Sequence, residues 1–241
     1  DENIFILERI IKSLLWGYGG YKIIVVGNKE VYARIKHIFM DGFRKFDKEF
    51  MERIYLEKFE VLHSDTLPEI KKGDEAIGKH LDGNRIGFDA GGSDMKVSAV
   101  KDGEVLFSEE IVWLPKLNSD PEYHKQHIRN AIMKAAKVLP KVDAIGVSSA
   151  GVYINNEARV ASLFIQVPEE LFDQHIRNIY IDVAKELNVP IIVANDGDVT
   201  ALAGSMTLNK TKLLGIAMGT SEAAGYVNEK GNIEGWLNEL A

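Results

Sequence analysis

The stretch that decides the fold is Asp89-Ala90-Gly91-Gly92-Ser93-Asp94-Met95-Lys96, which continues the apolar run Ile86-Gly87-Phe88. A strand that ends in an aspartate and turns at two glycines lets backbone N–H groups approach a phosphate, while the carboxylate stands near a metal ion or its water shell. A plain glycine hairpin between two strands has the same composition. Taken alone, the stretch leaves both readings open.

The residues around this turn predict an α/β architecture. Apolar runs on both sides of the turn predict three antiparallel strands, at residues 86–89, 96–100 and 104–107. Periodic apolar residues then predict, in order, a helix at 121–139, a strand at 144–147, a helix at 169–187, a strand at 191–193, a helix at 195–206 and a strand at 213–218. Helices that alternate with strands are typical of layered α/β folds.

The residues before the turn predict a separate, smaller α/β unit. Helical spacing of apolar residues at 4–15 is followed by short apolar strands at 22–26 and 59–62. Pro68 and several glycines among charged residues predict a linker over 64–84. We therefore expect three parts: an N-terminal unit at 1–80, a first lobe at 81–206, and the beginning of a second lobe at 207–241.

Composition excludes several classes of function. The chain has 241 residues, a net charge of -7 and no cysteine. Scattered basic residues disfavour nucleic acid as a partner, and the absence of cysteine excludes disulfides. No apolar run approaches the roughly 18 to 20 residues that span a bilayer, so we expect no membrane contact and a cytoplasmic location.

Two further stretches have residues suited to chemistry. Asn195 and Asp196 follow a predicted buried strand, and ligands bind at strand ends in α/β sheets. Asp196 there is suited to act as a general base, whereas capping of the next helix is the structural alternative. Gly219, Thr220 and Ser221 follow the strand at 213–218, either as a second phosphate-binding turn or as a structural turn.

Together these stretches resemble the ROK family, named for repressors, open reading frames and kinases, within the actin-like sugar-kinase and heat-shock ATPase superfamily. Residues 89–96 are similar to its first phosphate motif, D-x-G-G-T-x-x-K, and residues 144–151 resemble its G-x-P-G stretch. Residues 195–204 resemble its N-D-A-N-x-x-A-L-x-E block, and residues 218–221 stand where its second phosphate motif belongs. The resemblance covers residues 85–241.

The resemblance implies an actin-like ATPase lobe of the ribonuclease H type and an ATP-dependent sugar kinase that uses magnesium. It makes Asp196 the catalytic base and Asp89 the residue beside the metal. The implied binding residues are, for the sugar, Asn195, Gly151 and Glu239, and, for the phosphates, Asp89, Gly91, Gly92, Ser93, Lys96, Gly219, Thr220 and Ser221. The implied partner is a small-molecule sugar, and aromatic residues within 39–55 are candidates for a contact between subunits.

Three departures from the family pattern leave an alternative open. Glu222 and two alanines replace glycines after the second phosphate turn, and the G-x-P-G proline is absent. A carboxylate beside a phosphate repels it, so a sugar-sensing regulator without efficient phosphate handling is the alternative function. The third departure concerns the second lobe, whose remaining motifs would follow residue 241.

The unit at 1–80 is either a permuted or supplementary piece of the second lobe or, as we favour, an unrelated appendage.

Overall fold

The structure is a computed structural model that describes residues 2–69, 74–78, 80–219 and 222–234. Contacts divide the described residues into two compact units, one ending at Asp74 and the other running from Glu75 to Glu234. A two-residue strand, at Asp74–Glu75, contains this division. The predicted domain boundaries at residues 80 and 206 stay predictions. In the described part of the chain no helix is long and apolar enough to cross a membrane.

The first unit is a small α/β layer. Its elements are α1 (Glu2–Tyr18), β1 (Lys22–Val26), α2 (Lys29–Met40), α3 (Lys45–Tyr55) and β2 (Glu60–Ser64). Strands β1 and β2 pair in parallel, with Ile23 opposite Val61. The Asn28 side chain caps α2 by accepting hydrogen bonds from two backbone N–H groups of its first turn. Buried residues of α2 and α3 form the core of this unit: Ile35, Phe39, Met51 and Ile54.

The second unit is built on a mixed five-stranded sheet. The strand at Asp74–Glu75 is β3. The five strands of the sheet are β4 (Asn84–Ala90), β5 (Asp94–Lys101), β6 (Glu104–Val112), β7 (Ala144–Ser149) and β10 (Ile191–Asn195). A separate hairpin is formed by β8 (Val152–Ile154) and β9 (Glu157–Val160). The sheet order is β10-β7-β4-β5-β6. Strands β4, β5 and β6 form the predicted antiparallel meander, and β7 and β10 extend it in parallel to β4. The sequence reasoning missed the β8–β9 hairpin.

The helices of this unit are α4 (Pro121–Ala136), the single turn α5 (Glu169–Leu171), α6 (Ile179–Leu187) and α7 (Asp196–Leu208). Short 3-10 turns lie at Pro115–Leu117 and Ser162–Phe164. The prediction of one continuous helix at 169–187 was wrong, because a π-helical turn at Phe172–Ile176 interrupts it. The Arg177 carbonyl accepts a hydrogen bond from Ala158 in β9 at 2.9 Å, so it is withdrawn from helical bonding at that point.

Alternation along the strands places the core on one face of the sheet. In β4 the buried residues are Asn84, Ile86, Phe88 and Ala90, which share one face because side chains alternate along a strand. Helices α4 and α6 pack on this face. Their contribution to the core includes Ile128, Ile132, Ile179 and Val183. Burial of these apolar side chains stabilises the sheet, and the sheet positions the residues at its edge.

A second, antiparallel sheet packs against α7. Its strands include β11 (Leu213–Met218), β12 (Glu222–Val227) and β13 (Ile233–Glu234). A Cβ atom at Gly215 would lie 2.4 Å from the backbone nitrogen of Ala201, and one at Gly225 would lie 2.4 Å from the Cα atom of Asp198. These glycines let the strand backbones approach the helix backbone directly. Glu222 is the first residue of β12 and pairs with Met218. The prediction that Glu222 lies in a phosphate-binding loop was wrong in this respect.

Candidate functional site

Segments that follow four strands meet at one edge of the five-stranded sheet. Strands β4, β7 and β10 run in parallel, and β5 reverses the chain so that β6 runs in the same direction as β4. The segments after these strands include the glycine turn, residues 113–117, residues 150–151 and the beginning of α7. The carboxyl edge of an α/β sheet is where ligands bind.

A cavity of about 510 Å³ lies at this edge. It is lined by two aspartates, two lysines, small residues of the turns and one face of α7: Asp89, Ala90, Gly91, Gly92, Lys96, Lys116, Ser148, Ala150, Ser162, Leu163, Asp196, Val199, Thr200, Ala203, Ala217, Met218 and Gly219. The volume is within the range of small-molecule sites. Both carboxylates and the glycine turn therefore share one space, although the chain between them is long.

The structure brings together only part of the predicted site. Six predicted residues line this cavity: Asp89, Gly91, Gly92, Lys96, Asp196 and Gly219. Three others, Ser93, Asn195 and Gly151, are not among the lining residues. The remaining three, Thr220, Ser221 and Glu239, lie outside the described residues.

The glycine turn is held in place from beneath by a buried tryptophan. The Trp113 indole N–H donates to the Gly91 carbonyl at 2.8 Å, and its backbone N–H donates to the Ser93 carbonyl at 3.2 Å. A Cβ atom at Gly91 would lie 2.7 Å from the Asp94 carbonyl oxygen, so the turn requires glycine at that position. The Ser93 hydroxyl donates a hydrogen bond to the Asp94 carboxylate. The turn is thus fixed before any ligand arrives.

Asp196 is the first residue of α7 and is half-buried. Burial raises the pKa of its carboxyl group above the ordinary value, the hydrogen bond from the Gly197 N–H opposes this, and the negative charge of Asp89 raises the pKa further. A carboxyl group with a raised pKa is better matched to accept a proton near neutral pH. Asp89 and Asp196 line the same cavity, so both carboxylates face the space that a ligand would occupy.

The side chain of Asn195 forms hydrogen bonds with backbone groups of the protein itself. It is 5% exposed, and its side-chain oxygen accepts a hydrogen bond from Gly197 N at 2.8 Å, which caps α7. Its side-chain N–H donates to the Gly151 carbonyl at 2.9 Å. Gly151 has φ 129°, and a Cβ atom there would lie 2.4 Å from the Val160 carbonyl oxygen. Asn195 therefore joins the beginning of α7 to the turn after β7.

A buried hydroxyl network stiffens that turn. Tyr153 donates to the Ser149 hydroxyl at 2.7 Å, and the Ser149 and Tyr180 hydroxyls are 3.0 Å apart. Ser149 is fully buried and Tyr180 is 1% exposed, and this burial raises the pKa of the Tyr180 phenol. The family pattern has a proline in this turn. The hydroxyl network supplies stiffness there instead, because each buried hydroxyl is tied to another.

Lys116 and Thr200 also line the cavity, and the sequence reasoning did not select them. Thr200 lies one turn after Asp196 on α7, so helical spacing alone places it on the same face. Lys116 follows the third strand of the meander, which returns to the edge where the first strand ends. Strand direction was therefore the signal that could have found Lys116.

A larger cavity, of about 590 Å³, lies on the sheet face opposite α4 and α6. Gly87, Gly146 and Ser98 line it from the sheet, and Leu202 and Met206 line it from α7. Neither Asp196 nor the glycine turn borders it. Asp89 borders both cavities, but of these two only the smaller is also lined by Asp196 and the glycine turn, so the smaller cavity is the candidate site.

Comparison with solved structures identifies the fold. The polyphosphate/ATP-glucomannokinase from Arthrobacter sp. strain KM superposes with a TM-score of 0.50 at 19% identity, over 64% of this chain and 61% of that one. A candidate sugar kinase from Cytophaga hutchinsonii also gives a TM-score of 0.50, at 18% identity over 64% and 51% of the two chains. This chain has the sugar-kinase fold. The fold expected from the ROK resemblance, an actin-like ATPase lobe of the ribonuclease H type, is confirmed.

The sugar-kinase fold is present here in part. The chain spans 61% and 51% of the lengths of those two structures. The ROK hexokinase from Thermus thermophilus is also similar, at 16% identity over 63% of this chain and 49% of that one, with a TM-score of 0.47. No family model and no curated protein matches the sequence significantly.

Proposed function

We propose that this protein phosphorylates a sugar hydroxyl with ATP as the phosphoryl donor. One observation supports this most directly: Asp196, with its raised pKa, lines the same cavity as Asp89 and the glycine turn. Phosphoryl transfer depends mainly on positioning and on compensation of charge, and these residues can supply both.

In the proposed reaction the sugar hydroxyl lies beside Asp196. Its oxygen forms a bond to the terminal phosphorus of ATP, and the hydroxyl proton passes to the Asp196 carboxylate. The bond from that phosphorus to the bridging oxygen breaks, and its electron pair leaves with ADP. Backbone N–H groups of the turn at Gly91 and Gly92 would hold the phosphates in line.

The described residues fit a magnesium ion bound together with phosphates. No group of three or more His, Cys, Asp or Glu side chains in the described ranges could hold a metal by itself. Magnesium needs only one or two carboxylates when phosphates and water complete its coordination, and Asp89 would be that carboxylate, which leaves Asp196 free to accept a proton. Magnesium would neutralise phosphate charge there.

The sugar-sensor alternative was motivated by Glu222 and by the missing glycines of the second phosphate turn. Glu222 was expected to repel phosphate from the second turn. It instead belongs to β12 and is not among the residues that line the cavity. The carboxylates that line the cavity are therefore Asp89 and Asp196, and not Glu222.

The test is Asp196→Asn in the full chain, assayed for ADP formation with ATP, magnesium and a panel of hexoses. We expect turnover to fall roughly 10²- to 10⁴-fold, because the general base is lost, while calorimetry shows sugar binding retained. Asp182→Asn is the control, since Asp182 pairs with Lys185 on the surface of α6. Unchanged turnover in Asp196→Asn would remove Asp196 from the mechanism, and no turnover by the wild type with any hexose would remove the kinase function.

A further inference from the structure

Lys116 stands on a rigid turn beside the glycine turn. Pro115–Leu117 is a 3-10 turn with Pro115 at its beginning, where a missing N–H costs nothing. Leu117 N donates to the Leu114 carbonyl, and the Asn118 side chain donates to the same carbonyl at 2.7 Å. The two hydrogen bonds from Trp113 join this segment to Gly91 and Ser93. Lys116 is therefore built onto the same rigid support as the glycine turn.

The Lys116 side chain is half-buried and lines the cavity. Within the described residues it makes no hydrogen bond or ion pair. Lys96, the other lysine of the cavity, differs because it lies 3.6 Å from the Asp94 carboxylate. A half-buried lysine side chain without a protein partner is stabilised when an anion from solution binds to its ammonium group.

The charges of the cavity point to the anion. Asp89 and Asp196 already place two carboxylates there, and a triphosphate adds several negative charges. Cationic groups beside the transferred phosphoryl group lower the cost of that charge. The turn that carries Lys116 is joined to the glycine turn through Trp113 and contacts the 3-10 turn at Ser162–Phe164.

We propose that Lys116 binds the terminal phosphoryl group of the nucleotide and stabilises its charge during transfer. Lys116 forms and breaks no covalent bond; its ammonium group donates hydrogen bonds to the phosphoryl oxygens. This inference rests on the proposed function for the identity of the donor. It adds to the site a catalytic residue that the family motifs do not contain.

The test is calorimetric titration of the full chain with magnesium-ATP and, separately, magnesium-ADP. We expect Lys116→Met to weaken ATP binding roughly tenfold to a hundredfold, because a charge-assisted hydrogen bond is lost. ADP, which lacks the terminal group, should bind the variant about as tightly as the wild type. Lys116→Arg should retain most of the ATP affinity. Lys125→Met is the matched control, since Lys125 is also half-buried and does not line the cavity.

Three results would overturn the inference. They are equal ATP affinity in Lys116→Met and wild type, equal losses for ATP and ADP, and a wild-type chain that binds neither nucleotide. The thermal midpoint of Lys116→Met should equal that of the wild type, because Lys116 has no partner among the described residues. If the wild type binds ATP through Lys116 but forms no ADP with any sugar, the kinase proposal fails and the Lys116 site stands.

Discussion

At the scale of single residues, the surroundings that raise the pKa of Asp196 also lower the stability of the folded protein when its carboxyl group is ionised. Its folded-state pKa is raised above the ordinary 3.8, so folding favours the protonated carboxyl group. The stability that this group contributes is fully present below pH 3.8 and is lost as the pH rises through the folded-state pKa. Above its folded-state pKa the folded protein therefore holds an ionised carboxylate in an environment that disfavours it.

Asp196→Asn should accordingly raise the thermal midpoint at pH 7, because the amide is neutral and can still accept the Gly197 hydrogen bond. The gain should shrink as the pH falls through the folded-state pKa, which lies above 3.8, because the wild-type carboxyl group then becomes protonated. Thermal unfolding of both proteins between pH 4 and 8 checks this. A variant less stable than wild type at pH 7 would contradict the environment assigned to Asp196.

At the scale of elements, the site depends on how closely α7 approaches the second sheet. Helix α7 carries Asp196, and glycines of β11 and β12 lie directly against its backbone. Gly225→Ala would place a methyl group 2.4 Å from the Asp198 Cα atom, and neither backbone can give way cheaply. We expect a loss of about 1 to 3 kcal/mol of stability from this overpacking. Sugar-dependent turnover should fall too, because the displaced helix moves Asp196.

Gly204→Ala on the same helix is the control. Its Cβ atom would lie 3.3 Å from the end of the flexible Leu213 side chain, which can move. Alanine in a helix interior gains up to about 1 kcal/mol over glycine, so this variant should be neutral or more stable. Chemical denaturation of both variants checks the pair. Equal stabilities would show that the close approach of β12 to α7 does not constrain the helix.

At the scale of the whole molecule, the contacts divide the described residues into two units with separate cores. Ile35 is fully buried in the first unit and Ile132 in the second. Each isoleucine replaced by alanine should cost about 2 to 5 kcal/mol. We expect each loss to appear only in the unit that contains the change, because local stability follows cooperative units.

Hydrogen exchange followed by mass spectrometry on Ile35→Ala and Ile132→Ala checks this expectation. Amides of α2 and β2 should lose protection in the first variant, and amides of β4 and β7 should lose protection in the second. An equal loss of protection across both units from either change would instead show one cooperative molecule.

Local chemistry explains why much of the fold could be predicted. The meander, the strands at 22–26 and 213–218 and the turn at Gly91 follow from apolar periodicity and from glycine placement, which act over a few residues. The break in the helix at 169–187 could not be predicted, because the Arg177 carbonyl is claimed by β9, a distant partner. Strand β12 was missed because its alanines and glycine match a loop as well as a tightly packed strand.

The sequence by itself determined the α/β fold, the glycine turn after Asp89 and the place of Asp196 at the beginning of a helix. Only the tertiary structure decided what the side chains do there. It placed Lys116 on the cavity wall and assigned Asn195 to a cap and to Gly151, and it raised the pKa of Asp196 through burial and Asp89. Backbone preference is local, whereas burial, hydrogen-bond partners and neighbouring charge come from residues far apart in the chain.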